Sequence, residues 1–136
     1  SGVFRVSGRL DWGRLTALAK LKGLRALRVD CRAAHDKRTL LAAIARTLRF
    51  PDYFGFNWDA LADCLTDLEW LDAHGIVVVL IGSQGMAARA PRDFAAALDV
   101  LQEAADYWAA EHVPFIVLLD VKCGPVAAML PAVKTS

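Results

Sequence analysis

Ile76-Val77-Val78-Val79-Leu80-Ile81 is an unbroken aliphatic run closed at both ends by glycine, Gly75 before it and Gly82 after it. A strand with one wet face alternates apolar and polar residues. Six β-branched or aliphatic residues in succession instead predict a strand covered on both faces and placed centrally in a parallel sheet. Phe115 to Leu119 repeats the pattern. Between the two runs, Pro91 to Ala110 carries Phe94, Leu98, Leu101, Ala105 and Trp108 at helical spacing. Strand, helix and strand in that order predict an α/β domain, a small and mainly parallel β-sheet flanked by α-helices with right-handed crossovers.

Working back toward the N-terminus, Leu24 to Val29 reads as a further strand. Asp36 is placed to cap a helix running to about Leu48, with Leu40, Leu41, Ile44, Ala45 and Leu48 as its apolar stripe. Val3 to Val6 alternates weakly and predicts a short strand, followed by a helical stretch from about Asp11 to Leu21. Pro51 and Gly55 mark a loop over Phe50 to Phe56, and Asn57 can cap a helix that begins at Trp58. Gly82-Ser83-Gln84-Gly85 follows a strand and precedes a helix, but it lacks the glycine and lysine spacing of a phosphate-binding loop and reads as a simple turn. Val121 to Ser136 has no convincing periodicity and is expected to be loosely held.

The chain has 136 residues and a formal net charge of +1, which suits one compact domain. The overall balance hides a strong segregation. Ser1 to Arg49 carries 12 basic and 3 acidic residues, whereas Phe50 to Ala88 carries 6 acidic residues and no lysine or arginine. Cys31, Cys64 and Cys123 lie far apart and are odd in number, which argues against a disulfide framework or a zinc cluster and fits a reducing cytoplasm. No run of about 18 apolar residues predicts a membrane span, and the first residues lack the apolar stretch of a secretory leader.

The acids between Arg49 and Arg89 are Asp52, Asp59, Asp63, Asp67, Glu69 and Asp72. Read as a helix over Asn57 to Leu68, the segment puts Asp59, Asp63 and Asp67 along one face, with Leu61, Cys64, Leu65 and Leu68 opposite. Each like-charged pair at this spacing costs a helix roughly 0.2 to 0.5 kcal/mol. Asp59 gains from the helix dipole in the first turn, but Asp63 and Asp67 do not. A solvated polar face is the ordinary reading of such a run; the alternative is a binding face for a cationic partner. A magnesium site on Asp59 and Asp63 would ordinarily come with lysine or arginine for substrate phosphates, and the segment has none. His35, His74 and His112 have no nucleophile or acid at a recognisable motif spacing, so no enzyme, metal or cofactor is expected. Tyr53, Phe54 and Phe56 cannot all turn inward from one short loop. Tyr53 is the candidate solvent-facing anchor, while Trp58 falls beside the apolar stripe.

Pro51-Asp52-Tyr53-Phe54-Gly55-Phe56-Asn57-Trp58-Asp59-Ala60-Leu61-Ala62-Asp63-Cys64-Leu65 closely resembles the signature of the barstar family, intracellular inhibitors of barnase-like ribonucleases. The resemblance covers roughly Leu24 to Leu119. It implies a barstar-like domain over residues 23–120, an N-terminal extension over 1–22 and a C-terminal tail over 121–136. It further implies a cytoplasmic bacterial inhibitor, immunity protein or antitoxin whose partner is a basic microbial ribonuclease or ribonuclease toxin, with no nucleic acid, membrane or cofactor involved.

Carried over residue by residue, the resemblance puts Tyr53, Asp59 and Asp63 on the inhibitory surface, with Asp63 entering the ribonuclease's phosphate-binding pocket. Glu103 matches a further acidic contact from the later helix, and Asp67 is a rim acid expected to tune association. Two residues depart from the pattern. Ala62 stands where a well-known member has a tryptophan that packs on its target, and Phe56 occupies a position usually small or polar, which makes Phe56 the candidate to replace the lost contact area. These departures leave open a barstar-fold immunity or regulatory protein directed at a target other than a ribonuclease.

Overall fold

The computed structural model describes residues 1–7, 10–67, 74–119 and 132–134. Leu68, Glu69, Asp72 and Cys123, singled out in the sequence, lie outside the described residues, as does most of the tail. Among the described residues five strands, β1 (Gly2–Ser7), β2 (Arg25–Asp30), β3 (Ile76–Ile81), β4 (Phe115–Leu119) and β5 (Ala132–Lys134), form one sheet in the order β2-β3-β4-β1-β5. Every pairing is parallel. The helices are α1 (Trp12–Leu21), α2 (Lys37–Leu48), α3 (Trp58–Thr66), α4 (Gln84–Arg89) and α5 (Pro91–Ala110).

The aliphatic run is β3, paired with β2 from Arg25↔Ile76 to Asp30↔Ile81 and with β4 from Ile76↔Phe115 to Leu80↔Leu119. Its side chains divide by the twofold period of a strand. Ile76, Val78 and Leu80 enter the larger core, and Val77 and Val79 enter a second, smaller one. Phe115 and Val117 of β4 likewise enter the first, with Leu118 in the second. Each face therefore needs apolar residues, which is why neither strand alternates. The larger core is closed by buried residues of α2, α3 and α5, among them Leu41, Ile44, Leu61, Leu65, Phe94 and Leu101; the smaller takes Trp12 and Leu15 of α1. Full burial of a leucine or phenylalanine contributes about 1.5–3 kcal/mol, so these layers dominate stability.

The short strand read at Val3 to Val6 is present and belongs to the sheet. Gly2 to Arg5 pair with Ile116 to Leu119, and Arg5 to Ser7 pair with Ala132 to Lys134, so β1 is an internal strand that joins β4 to β5. The Val3 N–H is further held by Gln102 Oε1 of α5 at 3.0 Å. Part of the tail expected to be loosely held thus forms the edge strand β5. The turn read at Gly82 is present, with Gly82 at φ 69, but Gln84 and Gly85 already belong to α4, a short helix separate from the one read over Pro91 to Ala110.

Local chemistry sets the helix starts. Asp36 Oδ1 accepts the Thr39 N–H at 2.9 Å while Thr39 Oγ1 accepts the Asp36 N–H at 3.1 Å, a reciprocal capping box. Pro91 opens α5, where its missing N–H has no role in the helix. Asn57 Oδ1 accepts the Ala60 N–H at 2.7 Å and starts α3. The acidic helix ends earlier than its pattern suggested. Thr66 is its last residue, and Asp67 is the C-cap, its N–H donating to the Asp63 carbonyl at 2.9 Å.

Candidate functional site

The site begins where α2 stops. Arg49 caps that helix in left-handed conformation at φ 54, and the Phe50 N–H donates back to the Ala45 carbonyl at 3.0 Å, turning the chain into the loop before α3. Within the loop the Phe54 N–H donates to the Pro51 carbonyl at 2.9 Å. Phe54 is buried, and its ring stacks at a tilt against Phe50 (5.1 Å between centroids) and Phe56 (4.9 Å). Burial of Phe54 leaves its neighbour no room inside, and Tyr53 is 83% exposed. Phe56, half-buried, holds φ 50, which costs a residue with a side chain about 1–2 kcal/mol and is sustained by its packing.

Two cations of α2 reach across to this loop. The Arg38 guanidinium carbon lies 4.7 Å from the centre of the Phe56 ring, and Lys37 Nζ lies 5.3 Å from that of Trp58. Trp58 itself is half-buried and packs on the larger core. No local pattern of residues points to these contacts, which join segments 18 to 21 residues apart.

Leu61 and Leu65 anchor α3 in the core, and that roll angle leaves Asp59, Asp63 and Asp67 exposed. Among the described residues no ion pair reaches any of the three, nor Glu103; the ion pairs join Arg32 to Asp30 and His35 to Asp36. Tyr53, Asp63 and Asp67 line one cleft of about 730 Å³ together with Phe50, Pro51, Cys64 and Thr66. Asp59, Phe56, Ala62 and Glu103 lie outside that lining. Glu103 is exposed on α5, the helix that packs against α3. Ala62 is half-buried on α3.

Burial pushes the Cys64 thiol above its usual range, and the carboxylates of Asp63 and Asp67 push it further. The cleft therefore presents carboxylates, an aromatic ring and a protonated thiol. Among the described residues no group of three or more His, Cys, Asp or Glu could hold a metal ion, and no helix is long and apolar enough to cross a membrane.

A family model described as Barstar (barnase inhibitor) matches residues 24–120, most of the chain and all of the site just described. The chain belongs to the barstar family. Within this barstar-family chain, β2, β3 and β4 with α2 to α5 fall inside the matched span, and β1, α1 and β5 fall outside it. No curated protein matches the sequence. Among solved structures, the Aeropyrum pernix ORC2 protein, determined as ADPNP-ADP complexes, superposes with a TM-score of 0.58 at 20% identity. The alignment covers 99% of this chain and 42% of that one, so the chain spans less than half of its length. At that identity the likeness is one of fold alone.

Proposed function

We propose that the chain inhibits a basic, barnase-like ribonuclease by seating α3 in its cationic active site. The observation that carries this reading is Asp63, exposed at a cleft beside Tyr53 and without an ion-pair partner among the described residues, within the family's signature segment. A ribonuclease gathers arginine, lysine and histidine to hold phosphate. Asp59 and Asp63, projecting from a rigid helix, offer carboxylates where RNA offers phosphate oxygens. Tyr53 supplies the apolar, low-entropy contact, Asp67 and Glu103 extend the negative rim, and Phe56 stands in for area that Ala62 lacks. The acidic face repels nucleic acid and draws in a basic protein, with association at low salt reaching roughly 10⁸ to 10⁹ M⁻¹s⁻¹.

The test is titration of barnase and a panel of basic microbial ribonucleases, including any encoded beside this gene, with the purified chain. Stoichiometric loss of RNA cleavage in at least one case is expected. Full activity of every enzyme with the chain in excess overturns the reading. The small side chain of Ala62 favours a second reading, a barstar-fold immunity or regulatory protein whose target is another protein with a basic cleft. Salt-sensitive binding to a non-ribonuclease target, abolished by Asp63→Ala, would distinguish it.

A further inference from the structure

Lys37 and Arg38 occupy the first turn of α2, where the helix dipole favours acids and disfavours cations, and that turn carries no acidic residue. Asp36, one position earlier, offsets them in part: its carboxyl is held below the usual range chiefly by hydrogen bonds from Thr39, with smaller contributions from His35 and Arg38. Helix electrostatics alone do not account for two adjacent cations here. What they touch does. Lys37 lies over Trp58 and Arg38 over Phe56, the two aromatic residues that flank Asn57, the N-cap of α3.

The two contacts have a shared consequence. Phe56 is a bulky residue in left-handed backbone, tilted against the buried Phe54 on one side. The Arg38 guanidinium lies over its ring, so the chain of contacts Phe50, Phe54, Phe56, Arg38 runs from the loop's root to an exposed side chain. Lys37 does the same for the residue that opens α3.

We propose that Lys37 and Arg38 are positioning residues, a two-point clamp by which α2 fixes the entry of α3 and hence the direction in which Asp59 and Asp63 leave the surface. The proposal deepens the inhibitor reading and rests on it for what those carboxylates are aimed at; the clamp itself is a property of the free chain. A fixed entry lowers the ordering cost of docking, since the loop and first turn are already in their bound arrangement.

Amide hydrogen exchange in the full chain tests it. The Ala60 N–H donates to Asn57 Oδ1 and the Phe54 N–H to the Pro51 carbonyl, so both report opening of the entry segment. Residues 37 and 38 are remote in sequence from both amides, so their substitution leaves intrinsic exchange rates there unchanged. Arg38→Gln and Lys37→Gln should each speed exchange at Ala60 about two- to fivefold, the loss expected for one exposed cation–π contact, and Arg38→Gln should do the same at Phe54. The Arg14 N–H, which donates to Asp11 Oδ1 at the start of α1 and opens without disturbing the clamp, should keep its wild-type rate. Arg38→Lys, which retains a cation for the ring, should restore most of the protection, and in a Phe56→Leu background Arg38→Gln should add nothing.

Three results overturn the clamp: wild-type exchange at both amides in Arg38→Gln, equal acceleration at Arg14, or an undiminished Arg38→Gln effect in the Phe56→Leu background. Failure of the inhibition assay leaves these readings intact, and failure of the exchange test leaves the inhibitor reading intact.

Discussion

The Trp108 indole Nε1–H donates to the main-chain carbonyl of Leu65 at 2.9 Å, tying α5 to the last turn of α3. The last four carbonyls of a helix have no partner within it, and here a side chain 43 positions away supplies one. Trp108→Phe keeps an aromatic ring in contact with the core and removes that donor. Leaving a part-buried carbonyl unpaired should cost about 1–2 kcal/mol. A drop in Tm of about 3–6 °C, with the urea m-value unchanged, is expected for a chain of this size. An unchanged Tm would mean that water replaces the indole without loss.

Asn57 accepts from the Ala60 N–H at the start of the helix that carries the acids. Asn57→Ala should destabilise the chain by about 0.5–2 kcal/mol in urea unfolding, and Asn57→Ser should recover most of it because a hydroxyl oxygen can take the same donor. Equal stability of the wild type and the alanine variant would show that the cap contributes nothing here.

Both caps were legible in the sequence because capping is local: Asp36 and Asn57 act on donors three residues ahead. The aliphatic runs were legible because β3 and β4 send alternate side chains into two cores. Strand neighbours were not. Gly2 pairs with Ile116 and Arg5 with Ala132 because packing over the whole sheet sets the register, and no short-range pattern encodes it. The end of α3 at Thr66 also escaped, since the pattern of acids continues past it; Thr66 Oγ1 instead donates to the Ala62 carbonyl at 2.9 Å, and Trp108 takes the Leu65 carbonyl. Of the site, the exposure of Tyr53 followed from counting aromatics against the space inside a short loop. The grip of Lys37 and Arg38 on Trp58 and Phe56 did not, because it depends on how α2 lies against that loop.

Asp63 and Asp67 both line the cleft with Tyr53, Asp63 from within α3 and Asp67 from its C-cap. Against a ribonuclease that the chain inhibits, Asp63→Ala should weaken binding by about 2–5 kcal/mol, mostly as faster dissociation, since enzyme cations would be left buried without a counter-charge. Asp67→Ala should slow association and flatten its salt dependence, with little change in dissociation. Stopped-flow association and competition-chased dissociation at two salt concentrations read both. Indistinguishable behaviour of the two variants would remove Asp63 from the centre of the interface.

At the C-terminal end of β2, Arg32 Nε and Nη2 donate to the two carboxylate oxygens of Asp30 at 2.9 and 2.8 Å, and the Arg32 N–H adds a third bond at 3.1 Å. These hold the Asp30 carboxyl down at about 2, with the side-chain bonds from Arg32 as the main cause. A carboxyl depressed in the folded state stabilises it above the unfolded value near 3.9 and loses that contribution as pH falls toward about 2. The stability advantage of the wild type over Asp30→Asn should thus be constant from pH 7 to about 5 and shrink between about pH 4 and 2. Both side chains are largely exposed, so the advantage should be small and reduced by salt. Thermal melts of the two proteins across that range provide the measurement, and a constant difference down to pH 2 would contradict the assignment.

Cys64 turns the electrostatics of the cleft into a reaction rate. Its thiol is raised first by burial and then by Asp63 and Asp67, so at neutral pH the thiolate fraction is below that of a free cysteine, and alkylation proceeds through the thiolate. Iodoacetamide labelling of the peptide containing Cys64, followed by mass spectrometry at pH 7 to 9, should be slower than for an unfolded control. Asp63→Asn removes one of the two repelling charges and leaves the burial in place, so labelling should accelerate but stay below the unfolded rate. Cys31 is fully buried and should label more slowly still, which provides an internal standard for global opening. If Asp63→Asn changes the rate at Cys64 and Cys31 in proportion, the variant has loosened the fold. Acceleration confined to Cys64 reports the field that a cationic partner would meet in the same cleft.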